Sequence, residues 1–228
     1  MSKAFPVTEI FGPTIQGEGE LIGVPTMFIR FAGCDSQCTW CDTPYALKRG
    51  VQIGVMTSIS IIKQIGRPQE PVSWVTLTGG NPLLYELGDL VSGLHVDGWK
   101  VAVETQGTIY RDWVKDVDIL VVSPKPPSSG EVTDFLGLGK FLTHNHVVLK
   151  VVIFDELDYE FAVQARSLTH ESIPLVLQVG NRVGRDNLHL LVKRLRWLTE
   201  TALADRRLYN IRILPQLHIW LWGNRQGV

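Results

Sequence analysis

Six short apolar runs rich in β-branched residues recur along the chain: TMFIRFA (26–32), VSWVTLT (72–78), KVAVET (100–105), DILVVS (118–123), HVVLKVVIF (146–154) and PLVLQV (174–179). Each is bounded by turn residues and is continuously apolar rather than strictly alternating, so they read as strands of a parallel sheet covered on both faces. Between them, residues 57–66, 83–95, 156–170 and 186–204 place apolar side chains at helical spacing. Thr57 or Ser58, and Asp186, are suited to cap two of those helices. This alternation predicts an α/β parallel sheet or barrel. SPKPPSSG followed by FLGLGKF, within 123–146, has too many prolines and glycines for an assigned element. The tail, residues 209–228, ends in aromatics and glycines and is expected to dock.

Ligands of parallel α/β folds gather at the carboxyl ends of the strands. The unusual residues fall there: every cysteine of the chain follows the first run, TGGN ends the second, ETQGT the third, SPKPP the fourth and QVGN the last. One mouth is therefore expected to collect them.

Composition narrows the partners. Hydrophobic residues at 45% and charged residues at 20% exclude intrinsic disorder. No stretch of about 18 uncharged apolar residues offers a membrane span. A net charge of -1 without a basic stripe argues against a nucleic-acid partner. The densest basic segment, residues 193–207, reads as a solvated helix face. The start, MSKAFPVTEIFG, lacks the pattern of a secretory signal, so a cytoplasmic setting with reduced thiols is expected.

The three cysteines, Cys34, Cys38 and Cys41, lie in CDSQCTWC. A disulfide would leave one thiol over and close almost no chain. A closed zinc site needs four ligands, and the fold would have to deliver a distant histidine as the fourth. Three cysteines packed merely as small apolar groups would leave their spacing and the adjacent Asp35, Gln37 and Asp42 unexplained. A four-iron cluster on three thiolates keeps one iron open to a non-protein ligand.

CDSQCTWC after a strand, with an aromatic before the last cysteine, resembles the cluster loop of the radical S-adenosylmethionine superfamily. The resemblance implies a partial or modified (β/α)6 barrel with parallel strands, as a single domain over 1–228. It also implies a 4Fe-4S cluster whose open iron chelates S-adenosylmethionine (SAM). TGGNP at 78–82 is similar to the superfamily's glycine motif, which usually reads Gly-Gly-Glu; Asn81 departs from it. Within the superfamily, FGPTIQGEG, RFAGCDSQCTWCDT, TGGNP, ETQGT, SPKPPSS, LKVVIF, LQVGN and LPQLHIWLWGNRQGV together resemble the 7-carboxy-7-deazaguanine synthase family. That family converts 6-carboxy-5,6,7,8-tetrahydropterin to 7-carboxy-7-deazaguanine by hydrogen abstraction, ring contraction and loss of ammonia, in queuosine biosynthesis.

The resemblance assigns roles. Ile15, Gln16, Gly17, Glu18, Arg30 and Thr78 fall at substrate positions. Gln16 and Glu18 offer the amide and carboxylate that read a pterin edge, against the alternative of a polar glycine-rich turn. Arg30, mid-strand, would clamp the substrate carboxylate; an internal ion pair is the alternative. Trp40, Gly80, Ser123, Pro124, Lys125 and Gln178 fall at SAM positions, and Lys125 could instead be a surface lysine. Thr43, which on its own reads as a cap or turn residue, falls where the family places a hydroxyl on Mg2+. Glu104 and Gln106 are further mouth residues or loop caps, and His218 and Trp222 are expected to pack the tail down. A homodimer and a reductant protein such as flavodoxin are implied as partners. The alternatives are another radical SAM enzyme, such as a glycyl-radical activase, and a non-enzymatic iron-sulfur electron carrier.

Overall fold

A computed structural model describes residues 3–47, 54–144 and 146–228. Among these, nine strands form a single sheet, with β3 and β9 at its edges and the order β3-β1-β2-β4-β5-β6-β7-β8-β9. All six expected strands are present: β2 (Pro25–Phe31), β4 (Trp74–Gly79), β5 (Lys100–Thr105), β6 (Ile119–Val122), β7 (Val147–Ile153) and β8 (Leu175–Val179). They run parallel, as does a seventh, β9 (Ile211–Leu214), from the tail.

The all-parallel expectation needs one correction. β1 (Ala4–Ile15) pairs antiparallel with both β2 and β3 (Gly54–Thr57), so the sheet is mixed at that edge. β1 hides in the sequence because Gly12-Pro13 and two register shifts interrupt its periodicity.

The helices are α1 (Ser58–Ile65), α2 (Gly88–Val96), α3 (Phe135–Leu138), α4 (Glu156–Ser167), α5 (Leu188–Ala204) and α6 (Leu217–Trp222). Thr57 caps α1 by accepting from Ser60 N. Asp186 does not cap α5; Asn187 does, accepting from Leu190 N at 2.9 Å, while Asp186 pairs with Arg194 at 2.9 Å. The expected helix over 83–95 is shorter, because its first residues form a 3-10 turn, Pro82–Leu84, and α2 begins only at Gly88. The open segment 123–146 holds α3 between two 3-10 turns.

Side-chain alternation along the strands separates two faces. Ile29, Leu77, Val103, Leu120, Val151 and Leu177 point into the core shared with the helices. The opposite pleat positions, one per strand, are Arg30, Thr78, Glu104, Val121, Lys150 and Gln178. Arg30, Thr78, Glu104 and Lys150 of this second face line the site at the carboxyl ends of the parallel strands.

Candidate active site

A cavity of about 210 Å3 opens at that mouth. Its lining brings together Ile15 at the end of β1, Gln16, Gly17 and Glu18 from the turn that follows, Arg30 from β2, the cluster-loop residues Cys34, Cys38, Trp40, Cys41 and Thr43, Thr78 and Gly80 at the end of β4, and Ser123 and Lys125 after β6. Glu104, Gln106, Lys150, Asn181, Gln216, His218 and the terminal Val228 line it too. Two residues expected at the ligand lie elsewhere. Pro124 is buried beside Ser123, outside the lining. Gln178 is fully buried and ties the turn after β1 to β9, accepting from Gly19 N and donating to Leu214 O at 3.1 Å.

The cluster loop is held from both sides. Thr39 N donates to Ser129 O at 2.9 Å and Trp40 Nε1 to Ser128 Oγ at 2.9 Å. Buried Asp158 anchors that second loop by accepting from Ser128 N and Phe154 N, both at 2.9 Å. On the other side Gly80 N donates to Phe31 O at 3.1 Å and Asn81 N to Gly33 O at 2.8 Å. A Cβ on Gly80 would stand 1.9 Å from Gly33 O, so glycine is required here for the backbones to meet.

Asn81 is fully buried and uses its whole amide. Nδ2 donates to Asp35 Oδ1 at 2.9 Å, and Oδ1 accepts from Leu83 N at 3.1 Å and Thr105 Oγ1 at 3.0 Å. Gln106 Nε2 donates to Asp35 Oδ1 at 2.5 Å and lies 3.5 Å from Cys34 Sγ.

All three thiols are half-buried and unbridged. Burial pushes each of them up, Cys41 to about 11 with help from the Asp42 carboxylate, so the thiolate form needs a compensating positive charge. Bound iron would supply the missing positive charge. Three soft sulfur donors on one cavity wall, with an amide N–H directed at one of them, fit an iron-sulfur cluster.

Arg30 makes the internal ion pair: Nε lies 2.6 Å from Glu9 Oε1, which also accepts from Tyr45 OH at 2.8 Å. Its Nη1 donates to Thr43 Oγ1 at 3.4 Å, and Thr43 donates to Asp42 Oδ1 at 2.8 Å. The guanidinium therefore lines the cavity with its outer nitrogens while Glu9 fixes its inner one. Thr43 and Asp42 put hard oxygen donors beside it, chemistry that suits magnesium.

A second group of the lining centres on a residue that sequence reasoning missed, Lys150. Its Nζ lies 2.6 Å from Glu18 Oε2 and 3.6 Å from Glu104 Oε1. Gln216 Nε2 donates to Glu18 Oε1 at 2.6 Å, and Gln16 Nε2 to Glu104 Oε1 at 3.2 Å. Burial alone would raise the Glu18 carboxyl, but the Lys150 ammonium outweighs it and, with His218 and Gln216, holds it at about 2. Burial likewise works against the Lys150 charge, and Glu104 and Glu18 overcome it, so Lys150 lies above its ordinary value. Glu18, Asp42 and His218 also converge within 4.8 Å. Since Lys150 and Gln216 already occupy both Glu18 oxygens, these three extend the hydrogen-bonding wall rather than forming an open cation cage. The available signal for Lys150 was a lone cation inside the otherwise apolar run HVVLKVVIF.

The tail closes this side. Leu217 N donates to Gly17 O at 2.9 Å, and a Cβ on Gly17 would stand 2.1 Å from His218 Nδ1. His218 thus lines the cavity, whereas Trp222, one turn further along α6, is exposed and outside the lining.

Known proteins resemble the chain at three levels. Residues 28–121 match the Radical SAM superfamily. The 7-carboxy-7-deazaguanine synthases of Bacillus subtilis and Bacillus cereus are 43% and 42% identical to it, with all of both chains covered. That of Thermoplasma acidophilum is 33% identical over 97% of this chain and 99% of its own. The crystal structure of QueE from Escherichia coli superposes with a TM-score of 0.72 over 94% of this chain and 95% of its own, at 24% identity, a likeness of fold.

Proposed function

We infer the working of this site from one premise: the chain belongs to the 7-carboxy-7-deazaguanine synthase family of the radical SAM superfamily. It is a radical SAM carbon-nitrogen lyase that converts the tetrahydropterin precursor to 7-carboxy-7-deazaguanine in queuosine biosynthesis. Membership implies a 4Fe-4S cluster and SAM, which when bound supply the radical that removes a substrate hydrogen. The observation that carries the residue assignments is the single cavity lined by three thiols, an arginine and an amide-carboxylate wall.

Cys34, Cys38 and Cys41 hold the cluster. Trp40, Gly80, Ser123 and Lys125 bind SAM; Pro124 and Gln178 act behind them, Gln178 by fixing the turn that carries Glu18. The tetrahydropterin lies in the cavity that Arg30 and the Lys150 group both line. Arg30, steadied by Glu9, binds its carboxylate through the outer guanidinium nitrogens. Ile15, Gln16, Gly17, Glu18 and Thr78 border its ring, with Gln16 and Glu18 on the N–H edge. Thr43 offers its hydroxyl to Mg2+, with Asp42 as its hydrogen-bonded support.

The chain works as one domain over residues 1–228 in the cytoplasm, as a homodimer reduced by a protein such as flavodoxin. No described helix is long and apolar enough to cross a membrane.

The test is omission. Anaerobically reconstituted protein should form 7-carboxy-7-deazaguanine, read by mass spectrometry, only with reductant, SAM and 6-carboxytetrahydropterin together, and less without Mg2+. Replacement of any one cysteine by alanine should abolish SAM cleavage; retained cleavage would remove that cysteine from the cluster.

A further inference from the structure

Lys150 is the only charged residue of β7, a strand whose seven residues are all buried. Its own side chain is 6% exposed. A buried ammonium costs several kcal/mol unless it is paired, and one carboxylate is enough for that purpose elsewhere in this protein. Arg194 beside Asp186 and Arg30 beside Glu9 are such pairs. Lys150 instead collects two carboxylates from separate elements, Glu18 at 2.6 Å and Glu104 at 3.6 Å, and the trio keeps a surplus negative charge.

Gln216 completes this wall. Gln216 lines the cavity and gives its amide N–H to Glu18, while its own buried carbonyl oxygen has no hydrogen-bond partner. That oxygen is shielded from the cavity, so the acceptors this wall offers a bound ring are the Glu18 and Glu104 carboxylates, which both line it. An edge carrying a carbonyl oxygen in place of an N–H would meet carboxylates at close range, and such a mismatch is heavily penalised.

We propose that Lys150 is a specificity-determining positioning residue, whose ammonium holds Glu18 and Glu104 side by side as acceptors and so restricts this wall to rings presenting adjacent N–H donors. The inference rests on the synthase reading and names the ring edge selected: that of a 2-amino-4-oxopyrimidine. Without the ammonium the two carboxylates would repel, and one of them would take up a proton and become a donor itself. That exchange would admit a 2-oxo ring.

Two fluorescent, non-reacting probes test it, 6-carboxypterin and its 2-oxo analogue 6-carboxylumazine, bound to the cluster-loaded full-length protein. Wild type, Lys150→Gln and Lys150→Arg are compared at about pH 5.5 and about pH 6.5. Asp42 from the cluster loop and His218 from α6 also face this group. Both feel the Lys150 charge, Asp42 directly and His218 through Glu18, so the charge-keeping Lys150→Arg is the control for their response. Wild type and Lys150→Arg should prefer the 2-amino ring by about tenfold or more at both pH values. Lys150→Gln should lose most of that preference, and more of it at the lower pH. A Lys150→Gln protein that keeps the wild-type preference at both pH values would overturn the proposal.

Should Lys150→Gln fail to fold, carbon-13 NMR of the wild-type Glu18 carboxyl decides. It should remain ionised down to about pH 4, and titration above about pH 5 would overturn the proposal. If wild type binds neither probe and forms no deazapurine, the synthase reading itself fails, whatever Lys150 does.

Discussion

Asn81 stands where the superfamily's glycine motif usually carries an acid, and Asp35 gives the reason at the scale of single atoms. The Asn81 amide donates to Asp35 Oδ1 at 2.9 Å, a bond that a carboxylate could not make and would replace with repulsion. Asn81→Asp should therefore lower iron retention after reconstitution and destabilise the fold by about 2–4 kcal/mol. Adding Asp35→Asn should restore most of both, read by iron content and thermal denaturation; simple additivity of the two changes would show that they are not coupled. Arg30 belongs to the same scale. Its Nε is fixed by Glu9, so Arg30→Lys loses the planar fork as well as the Glu9 contact. Turnover of the pterin should fall by about tenfold or more while iron content and the cluster's visible absorption stay at wild-type levels. Normal turnover would remove Arg30 from substrate binding.

Elements place these residues, and they explain what could be read from the chain. β-branched runs made β2 and β4 to β8 visible, and their carboxyl ends located the mouth. β1, β3 and β9 escaped notice: β1 is broken by Gly12-Pro13, while GVMT of β3 and IRIL of β9 are short edge strands without the continuous β-branched run that made the equally short β6 visible. Lys150 escaped for another reason. Its partners, Glu18 and Glu104, are 132 and 46 residues away, and only the pleat of β5 and β7 turns them to one face. Resemblance carried Gln178 to the ligand because it ends a strand, yet its amide spans from Gly19 to Leu214 instead. Packing between α6 and the turn after β1 is likewise invisible locally. Gly17→Ala would drive a Cβ into the His218 ring and push α6 outward. The apparent KM for the pterin should rise by about tenfold with SAM cleavage largely retained, as expected when a positioning contact is misplaced by about 1 Å.

Across the whole molecule, the Glu18-Lys150 pair links stability to pH. The folded-state value of Glu18 is depressed to about 2 from an ordinary 4.5, so its contribution is full above 4.5 and is lost as pH falls toward 2. Lys150 is raised above its ordinary 10.5, so its contribution is full below 10.5 and fades only as pH climbs beyond that. Thermal denaturation of wild type should thus fall away at the acid side of 4.5, and Lys150→Met should flatten that acid limb. The larger claim is that one cavity brings the radical chemistry and the pterin together. Supplying 6-carboxytetrahydropterin deuterated at its carbon-bound ring positions, and recovering 5'-deoxyadenosine by mass spectrometry, tests that claim most directly. Deuterium should appear in the 5'-deoxyadenosine in step with 7-carboxy-7-deazaguanine; 5'-deoxyadenosine free of deuterium would contradict it.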